Sequence, residues 1–510
     1  MESLGEEPWD VVICGTGLQQ SLLALSNKRI LHLDPNDYYG QHEAALSLQE
    51  ADGFAAAHGN APAAAPTADE GGAKPNGSRG VFRNAAAWKH PEAEAKGLGY
   101  ARAYSLALAP QIIHTRSKLL SQLVSSRAYR QVEFLSVGSF SIYEPAAGDA
   151  PARLSRIPSN REDVFSSSSI PAKSKRALMK FMKFVIDYNS EEQRESWQSH
   201  ADSTLSDFLA TQFKLDDNLR NSILALTLTI DGNITVKDGL AALSRHLTSI
   251  GLFGPGFCAV YPKWGGLSEV AQVACRAGAV GGGIYMLDTG MKIKPDGEQD
   301  LVSLDLTNDI TVQARTLFSA RDAAADGEAI GRLVAVVKSP LRSLFEAVVE
   351  GAPTPAVTVI AFPPGSIPSS DASVDYPVYA FVHSSDTGEC PNGQSTVYLT
   401  TLASTSSKEK LEKALELLLA SSGDQETPIS LYHLYYEQAI SERSSSVEKI
   451  GAVPHFSFPP LPHELAFGDA SLDTVLNAWK VAIGEEAQEN EYMIFEDREG
   501  ADAHDDDVYD

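Results

Sequence analysis

The sequence predicts an α/β protein: a Rossmann-related, multi-sheet domain interrupted by a smaller all-helical domain. Three observations carry this reading. Residues 9–14, Trp-Asp-Val-Val-Ile-Cys, end on Gly15-Thr16-Gly17, the pattern of a buried strand entering a glycine turn. The block 151–250 carries helical spacing, and strand-like runs return after it. A chain of 510 residues is also too long for one simple core. The large domain is therefore expected to be discontinuous, over 1–150 and 251–485, with the helical domain over 151–250 and an acidic tail over 486–510.

Taken in order, residues 18–26 fit a short helix and residues 29–34 a second strand, which completes a βαβ start. Residues 51–98 then turn rich in Ala, Gly, Pro and Asn, so most of them are expected to stay disordered, with Trp88 docking locally. Residues 117–126 have helical spacing, and 132–143 alternate as a strand does. From Pro171 to Asn189 one helical face gathers Leu178, Phe181, Met182 and Val185. Further helices are expected over 202–213, 218–228, 236–249, 268–277 and 408–421, and strands near 284–287, 310–318, 356–362, 376–383 and 395–401. The last residues are acidic and read as frayed, and no internal repeat is visible.

Composition narrows the function classes. Hydrophobic residues make up 43% and charged residues 21%, as in globular proteins. The net charge of −26, from 41 basic and 67 acidic residues, repels phosphate backbones and anionic lipid, so nucleic acid is not an expected partner. The four cysteines (Cys14, Cys258, Cys275, Cys390) form no C-x-x-C pair, which argues against structural zinc or a disulfide framework and for a reducing compartment. The acidic N-terminus has no signal-peptide pattern, no run reaches the ~18 apolar residues of a spanning helix, and the last four residues form no prenylation box. A cytoplasmic protein is expected.

In a working dinucleotide site the first glycine makes the turn, the second lets the backbone approach a pyrophosphate, and the third lets helix pack on strand. Gly15 and Gly17 are present, but Gln20 stands at the third position. Asp34 closes the second strand near the spacing of a ribose partner. The fingerprint therefore speaks for the fold more than for a ligand. Downstream there is no paired-cysteine centre and no Ser/His/Asp arrangement, and His32 and His114 read as satisfied core histidines. No catalytic residue and no metal ligand set emerges.

Two longer strings are more specific. One is residues 9–18 continuing into Leu31-His32-Leu33-Asp34 and Asp37-Tyr38-Tyr39-Gly40; the other is Tyr261-Pro262-Lys263-Trp264-Gly265-Gly266 with Glu269, Gln272, Arg276 and residues 282–287. They resemble the family of Rab GDP dissociation inhibitors and Rab escort proteins. The resemblance implies a flavoprotein-like fold whose FAD site is vestigial at Gly15, Gly17 and Asp34, so that no cofactor is expected. It implies a platform for the switch regions of GDP-bound Rab GTPases at Tyr39, Glu269, Gln272, Arg276 and Met286. A carboxylate and a guanidinium seven residues apart share a helix face and suit such contacts. An intrachain ion pair is the plainer reading of the same two residues.

By the same resemblance, Leu178, Phe181, Met182 and Val185 belong to a helical domain that opens a pocket for the geranylgeranyl lipid of Rab. Residues 157–165 and the insertion after Gly40 are similar to the fungal-type escort branch. The function implied is that of an escort: a non-catalytic accessory of the Rab geranylgeranyltransferase heterodimer, with GDP-dissociation inhibitor activity. It presents Rab proteins for geranylgeranylation and delivers them transiently to membranes. A recycling Rab GDP dissociation inhibitor and, more remotely, a flavin-dependent oxidoreductase are the alternatives. Two departures stand out. Animal escorts carry Phe where this chain has Gly281, a position implicated in transferase docking. The segment between Gly17 and Leu31 is also about one helical turn shorter than in the family.

Overall fold

The apolar run at the start of the chain becomes the strand Trp9–Cys14, parallel on one side to Ile30–Leu33 and on the other to Thr311–Ala320. In this computed structural model the described residues are 2–26, 28–59, 81–148, 150–167, 170–294, 300–320, 327–347, 349–368, 375–423, 427–440, 444–460 and 464–494. The sheet extends to Ile284–Met286 at one edge and to Val302–Leu306 and Met291–Ile293 at the other. Val453–Phe458 also lies parallel to Thr311–Ala320. Both faces are covered, as near-continuous apolar strands require. Val11 and Ile13 pack with residues of the helices Leu18–Leu23, Leu267–Val280 and Ala470–Ile483 on one face, and Val12, Leu31 and Leu33 with Leu304 and Leu317 on the other.

A second, ten-stranded sheet runs in the order Phe82–Lys89, Ile429–Ala439, Ala329–Lys338, Ser395–Leu402, Val378–Ser384, Val357–Phe362, Phe134–Glu144, Ala259–Pro262 and Ile113–His114. Its remaining strand, Arg153–Arg156, pairs with Phe134–Glu144, so the block 151–250 is not helical from its start as expected. The helices Arg161–Ser166, Ala172–Ile186, Glu191–Gln198, Leu205–Gln212, Asp217–Thr227 and Val236–Ser249 follow. Their starts are written in side chains: Asn160, Thr204, Asp216 and Thr235 each accept a backbone N–H of the first turn.

The expected disorder of 51–98 is corrected at both ends. Leu48–His58 is a helix opened by a capping box between Ser47 and Glu50, and Phe82–Lys89 is an edge strand on Ile429–Ala439. Phe54, Phe82 and Tyr436 interlock edge to face at 5.0–5.7 Å, and this burial offsets the ordering cost that composition alone did not promise. Trp88 stays partly exposed against His433. Residues 60–80 and the acidic stretch 495–510 lie outside the described residues. No helix among the described residues is long and apolar enough to cross a membrane.

Candidate partner-binding site

The glycine turn is closed from within. Gly15 takes φ 110° and donates to the carbonyl of Leu33 at 2.8 Å. Next to it, Thr16 donates both its amide and its hydroxyl to Asp34 Oδ2, and the same hydroxyl accepts the Gly40 amide at 2.9 Å. Asn36 donates its amide and its side chain to Asp34 Oδ1, both at 2.8 Å. At the start of the helix Leu18–Leu23, the Leu18 amide is taken by Glu43 Oε2 at 2.9 Å. A methyl group added to Gly15 would meet Gln41 Nε2 at 2.7 Å, and one on Gly17 would meet Gln20 Oε1 at 2.9 Å and Glu43 Oε2 at 3.0 Å.

These residues do not fit a dinucleotide. Glu43 places a carboxylate where a pyrophosphate would accept the same amide, and two acids cannot share that spot without strong repulsion. Around Gly17, the glycine a phosphate would approach, stand Gln20 Oε1 and Glu43 Oε2, and Gln41 covers the turn glycine Gly15. Asp34 has both oxygens engaged by Thr16 and Asn36, as a ribose would otherwise require of it. Burial pushes Glu43 up to about 7 against the opposing Leu18 N–H, and pushes Asp34 up to about 6 against its Thr16 and Asn36 donors. Gln20 is itself buried and turns back toward Gly17.

The closed turn holds Tyr39. Its hydroxyl lies 2.7 Å from the Ser21 hydroxyl, and its ring stacks near His32 and Tyr285 at 6.3 and 6.4 Å. Burial raises the Tyr39 hydroxyl far above its ordinary range, with Cys275 as the next contributor. Cys275 belongs to the helix Leu267–Val280, whose neighbouring face carries Glu269, Gln272 and Arg276 at helical spacing. Gln272 and Arg276 are exposed, and Arg276 Nη2 pairs with Glu269 Oε1 at 3.1 Å. Half-burial raises the Glu269 carboxyl, and the Arg276 charge opposes that rise.

Four of the five residues expected for the platform thus gather around one helix and the loop that follows the strand Ile30–Leu33. Met286 stands apart from Tyr39. It lies on the edge strand Ile284–Met286, where alternation points Tyr285 toward Tyr39 and turns Met286 to the opposite face, against the cluster of Val12, Leu31 and Leu33.

In the helix Ala172–Ile186, Leu178, Phe181, Met182 and Val185 are all buried. The first three line an apolar cavity of about 20 Å³ with Ile223, Leu243 and Leu247, whereas Val185 does not. That space holds about one water, so a lipid enters only if the helices part. The first helix is six residues long, and beyond its end a groove opens between Leu22, Leu25, Leu123, Val270 and Ala274.

Sequence reading missed Ser21, Gln41, Glu43, Cys275 and Tyr285. Only Glu43 had a readable sign, an acid in the loop that follows the second strand, Ile30–Leu33. The turn Gln41–Glu43 that delivers it depends on Gly40 at φ 103°.

Residues 5–62 and 81–442 match the family model described as GDP dissociation inhibitor. The chain is 30% identical over 404 residues to "Rab proteins geranylgeranyltransferase component A" of Saccharomyces cerevisiae, covering 77% of this chain and 61% of that one. It is 27% identical over 426 residues to the protein of the same name from Candida albicans, covering 80% and 61%. The chain therefore spans less than two thirds of the length of these two yeast relatives. A protein of Schizosaccharomyces pombe named as an uncharacterized Rab geranylgeranyltransferase is 26% identical, with 86% and 94% covered.

Among solved structures, Rab GDI from Plasmodium falciparum superposes with a TM-score of 0.62 at 16% identity, covering 94% of this chain and 99% of that one. An oxidoreductase from Methanosarcina mazei superposes at 0.55 and 11%, covering 92% and 99%. The flavoprotein-like fold is thus shared with both. The chain belongs to the GDP dissociation inhibitor family.

Proposed function

We propose that this chain is an escort-type accessory of Rab geranylgeranylation. It binds GDP-bound Rab GTPases, prenylated or not, presents them to the geranylgeranyltransferase heterodimer, and carries the product to membranes from the cytoplasm. The observation that carries this reading is the surface formed by Gln272 and Arg276 beside Tyr39. Here an exposed guanidinium and an exposed amide stand on one helix next to an aromatic held at the Ser21 hydroxyl. Such a surface supplies recognition contacts. The names of the yeast relatives, as a transferase component, support the accessory role.

The chain works without a dinucleotide in this reading, because Glu43 takes the Leu18 amide and Thr16 and Asn36 occupy the Asp34 carboxyl, the groups that would hold one. The prenyl tail enters between the helices around Leu178, Phe181 and Met182, where burying each methylene is worth about 0.8 kcal/mol against the cost of parting them. The test is a reconstituted prenylation assay with purified transferase and a GDP-bound Rab. Escort function requires geranylgeranyl transfer that depends on this chain. Extraction of prenylated Rab without support of transfer would instead make it a recycling inhibitor.

A further inference from the structure

His114 is a buried side chain with nothing to bond. It ends the short strand Ile113–His114, is 3% exposed, and neither ring nitrogen has a hydrogen-bond partner. The reading of it as a satisfied core histidine is therefore corrected. A buried polar group left unpaired costs roughly 1–3 kcal/mol, and such groups are rare enough to need a reason. Two further donors face it. His246 is on the helix Val236–Ser249, and Cys258 immediately precedes the strand Ala259–Pro262, which pairs His114 with Ala259. Both are buried. The His246 and His114 rings meet edge to face at 5.7 Å, and Cys258 Sγ lies 3.6 Å from His246 Nδ1.

We infer that His114, His246 and Cys258 form a binding site for one zinc ion. One ligand atom from each lies within 4.8 Å of the others. Zinc bonds of about 2.0–2.1 Å to nitrogen and 2.3 Å to sulfur at a tetrahedral angle place nitrogen and sulfur about 3.5 Å apart. The Cys258–His246 contact already has that separation, and the His114 ring needs to close by about an ångström. Two imidazoles and a thiolate suit a borderline-soft ion and not magnesium or calcium, which take oxygen. His246 and Cys258, though not His114, also line a cavity of about 50 Å³ with Ser139, Asn160, Arg156 and Asp163, large enough for a water ligand.

The local electrostatics favour the two imidazole ligands and oppose the thiolate, a cost the zinc–sulfur bond offsets. Burial pushes His246 down to about 4 and holds His114 well below its ordinary range, with His246 and Arg245 as lesser causes, so both rings are neutral at pH 7. Burial pushes the Cys258 thiol up to about 12, so it carries its proton until the ion arrives. Binding forms a zinc–sulfur bond, breaks the S–H bond and releases that proton to solvent. The thiolate then offsets part of the ion's charge next to Arg245. The site joins the last helix of the 161–249 run to two strands of the large sheet, so the ion acts as a staple between them.

The test uses the full chain and metal alone, with Co²⁺ as the spectroscopic probe and Zn²⁺ as its competitor. One equivalent of Co²⁺ should give tetrahedral bands and a thiolate charge-transfer band, all displaced by Zn²⁺. Zn²⁺ should raise Tm. Cys258→Ser should lose the charge-transfer band, and His114→Gln should weaken binding by more than roughly a hundredfold, since even outer partners of a metal site are worth about 10–100-fold. The site is refuted if wild-type protein takes up no stoichiometric Co²⁺. It is equally refuted if both variants bind with an unchanged spectrum. The wild-type titration decides the matter even if a variant fails to fold.

Discussion

Glu43 accepts the Leu18 amide at 2.9 Å, so the chain closes its own glycine fingerprint with one of its own acids. The acid does for the first helix what a bound phosphate does in a nucleotide-binding relative of the fold: it satisfies an orphan N–H and offsets the partial positive charge. The same closure fixes the loop between Asp34 and Glu43, because Thr16 binds the Asp34 carboxylate and the Gly40 amide together. Tyr39 lies inside that loop. The closed turn thereby fixes the position of Tyr39, whose hydroxyl lies 2.7 Å from that of Ser21.

The Glu43 carboxyl should leave a signature in stability against pH. Its folded value, about 7, lies above the ordinary 4.5, so the folded protein holds the proton more tightly than the unfolded chain. The stabilisation linked to it is fully present below pH 4.5 and is lost as pH rises through 7. Asp34, raised to about 6, adds to the same trend. Glu43→Gln should flatten the fall in urea-unfolding free energy between pH 5 and 7.5 by on the order of 2–3 kcal/mol. An identical slope in the variant would show that Glu43 does not titrate there.

Arg276→Ala should separate recognition from folding. Its side chain is 61% exposed and its pairing with Glu269 is a surface ion pair, worth about 0–1 kcal/mol. Thermal unfolding should hardly move. Affinity for a GDP-bound Rab, measured by calorimetry, should fall at least about fivefold, the loss expected of an interface residue worth more than 1 kcal/mol. Unchanged affinity would remove Arg276 from the surface.

Much of this site could be read from the chain, and what could not has a physical reason. The strand Trp9–Cys14 and the 269/272/276 face follow from local periodicity, which every residue in the element shares. The position of Met286 needed the strand register: a one-residue alternation decides whether it faces Tyr39 or the Val12 cluster. The helix Leu48–His58 was hidden by the alanines around it, although Ser47 and Glu50 spell its start. Glu43 and the His114, His246 and Cys258 cluster are contacts between distant segments, which no local pattern encodes.

Phe181 should prove structural before it proves functional. It is 1% exposed and packs on Phe213 at a ring separation of 5.0 Å. Phe181→Ala should cost about 3–5 kcal/mol of stability by urea unfolding, the range for emptying an aromatic site in a core. A loss below about 1 kcal/mol would mean that the helices Ala172–Ile186 and Leu205–Gln212 collapse readily into the space, and so are pliable enough to part for a lipid.

Glu389 couples stability to the start of the helix that carries Arg276. Its fully buried carboxylate accepts the Tyr261 hydroxyl at 2.8 Å and the Tyr398 hydroxyl at 3.0 Å, and meets His383 Nδ1 at 2.6 Å. Tyr261 in turn sits against Gly266, where an added methyl would strike the phenol oxygen at 2.7 Å, and Gly266 caps the helix that carries Arg276. Glu389→Ala leaves three buried polar groups without their partner and should cost about 3–5 kcal/mol. Glu389→Gln keeps the shape but trades an acceptor for a donor, so a smaller loss of roughly 1–3 kcal/mol is expected. Because Tyr261 then loses its fixed position under Gly266, the Gln variant should also bind Rab severalfold more weakly while remaining folded by circular dichroism. Full affinity in a folded Glu389→Gln protein would show that the helix start is set by Gly266 alone.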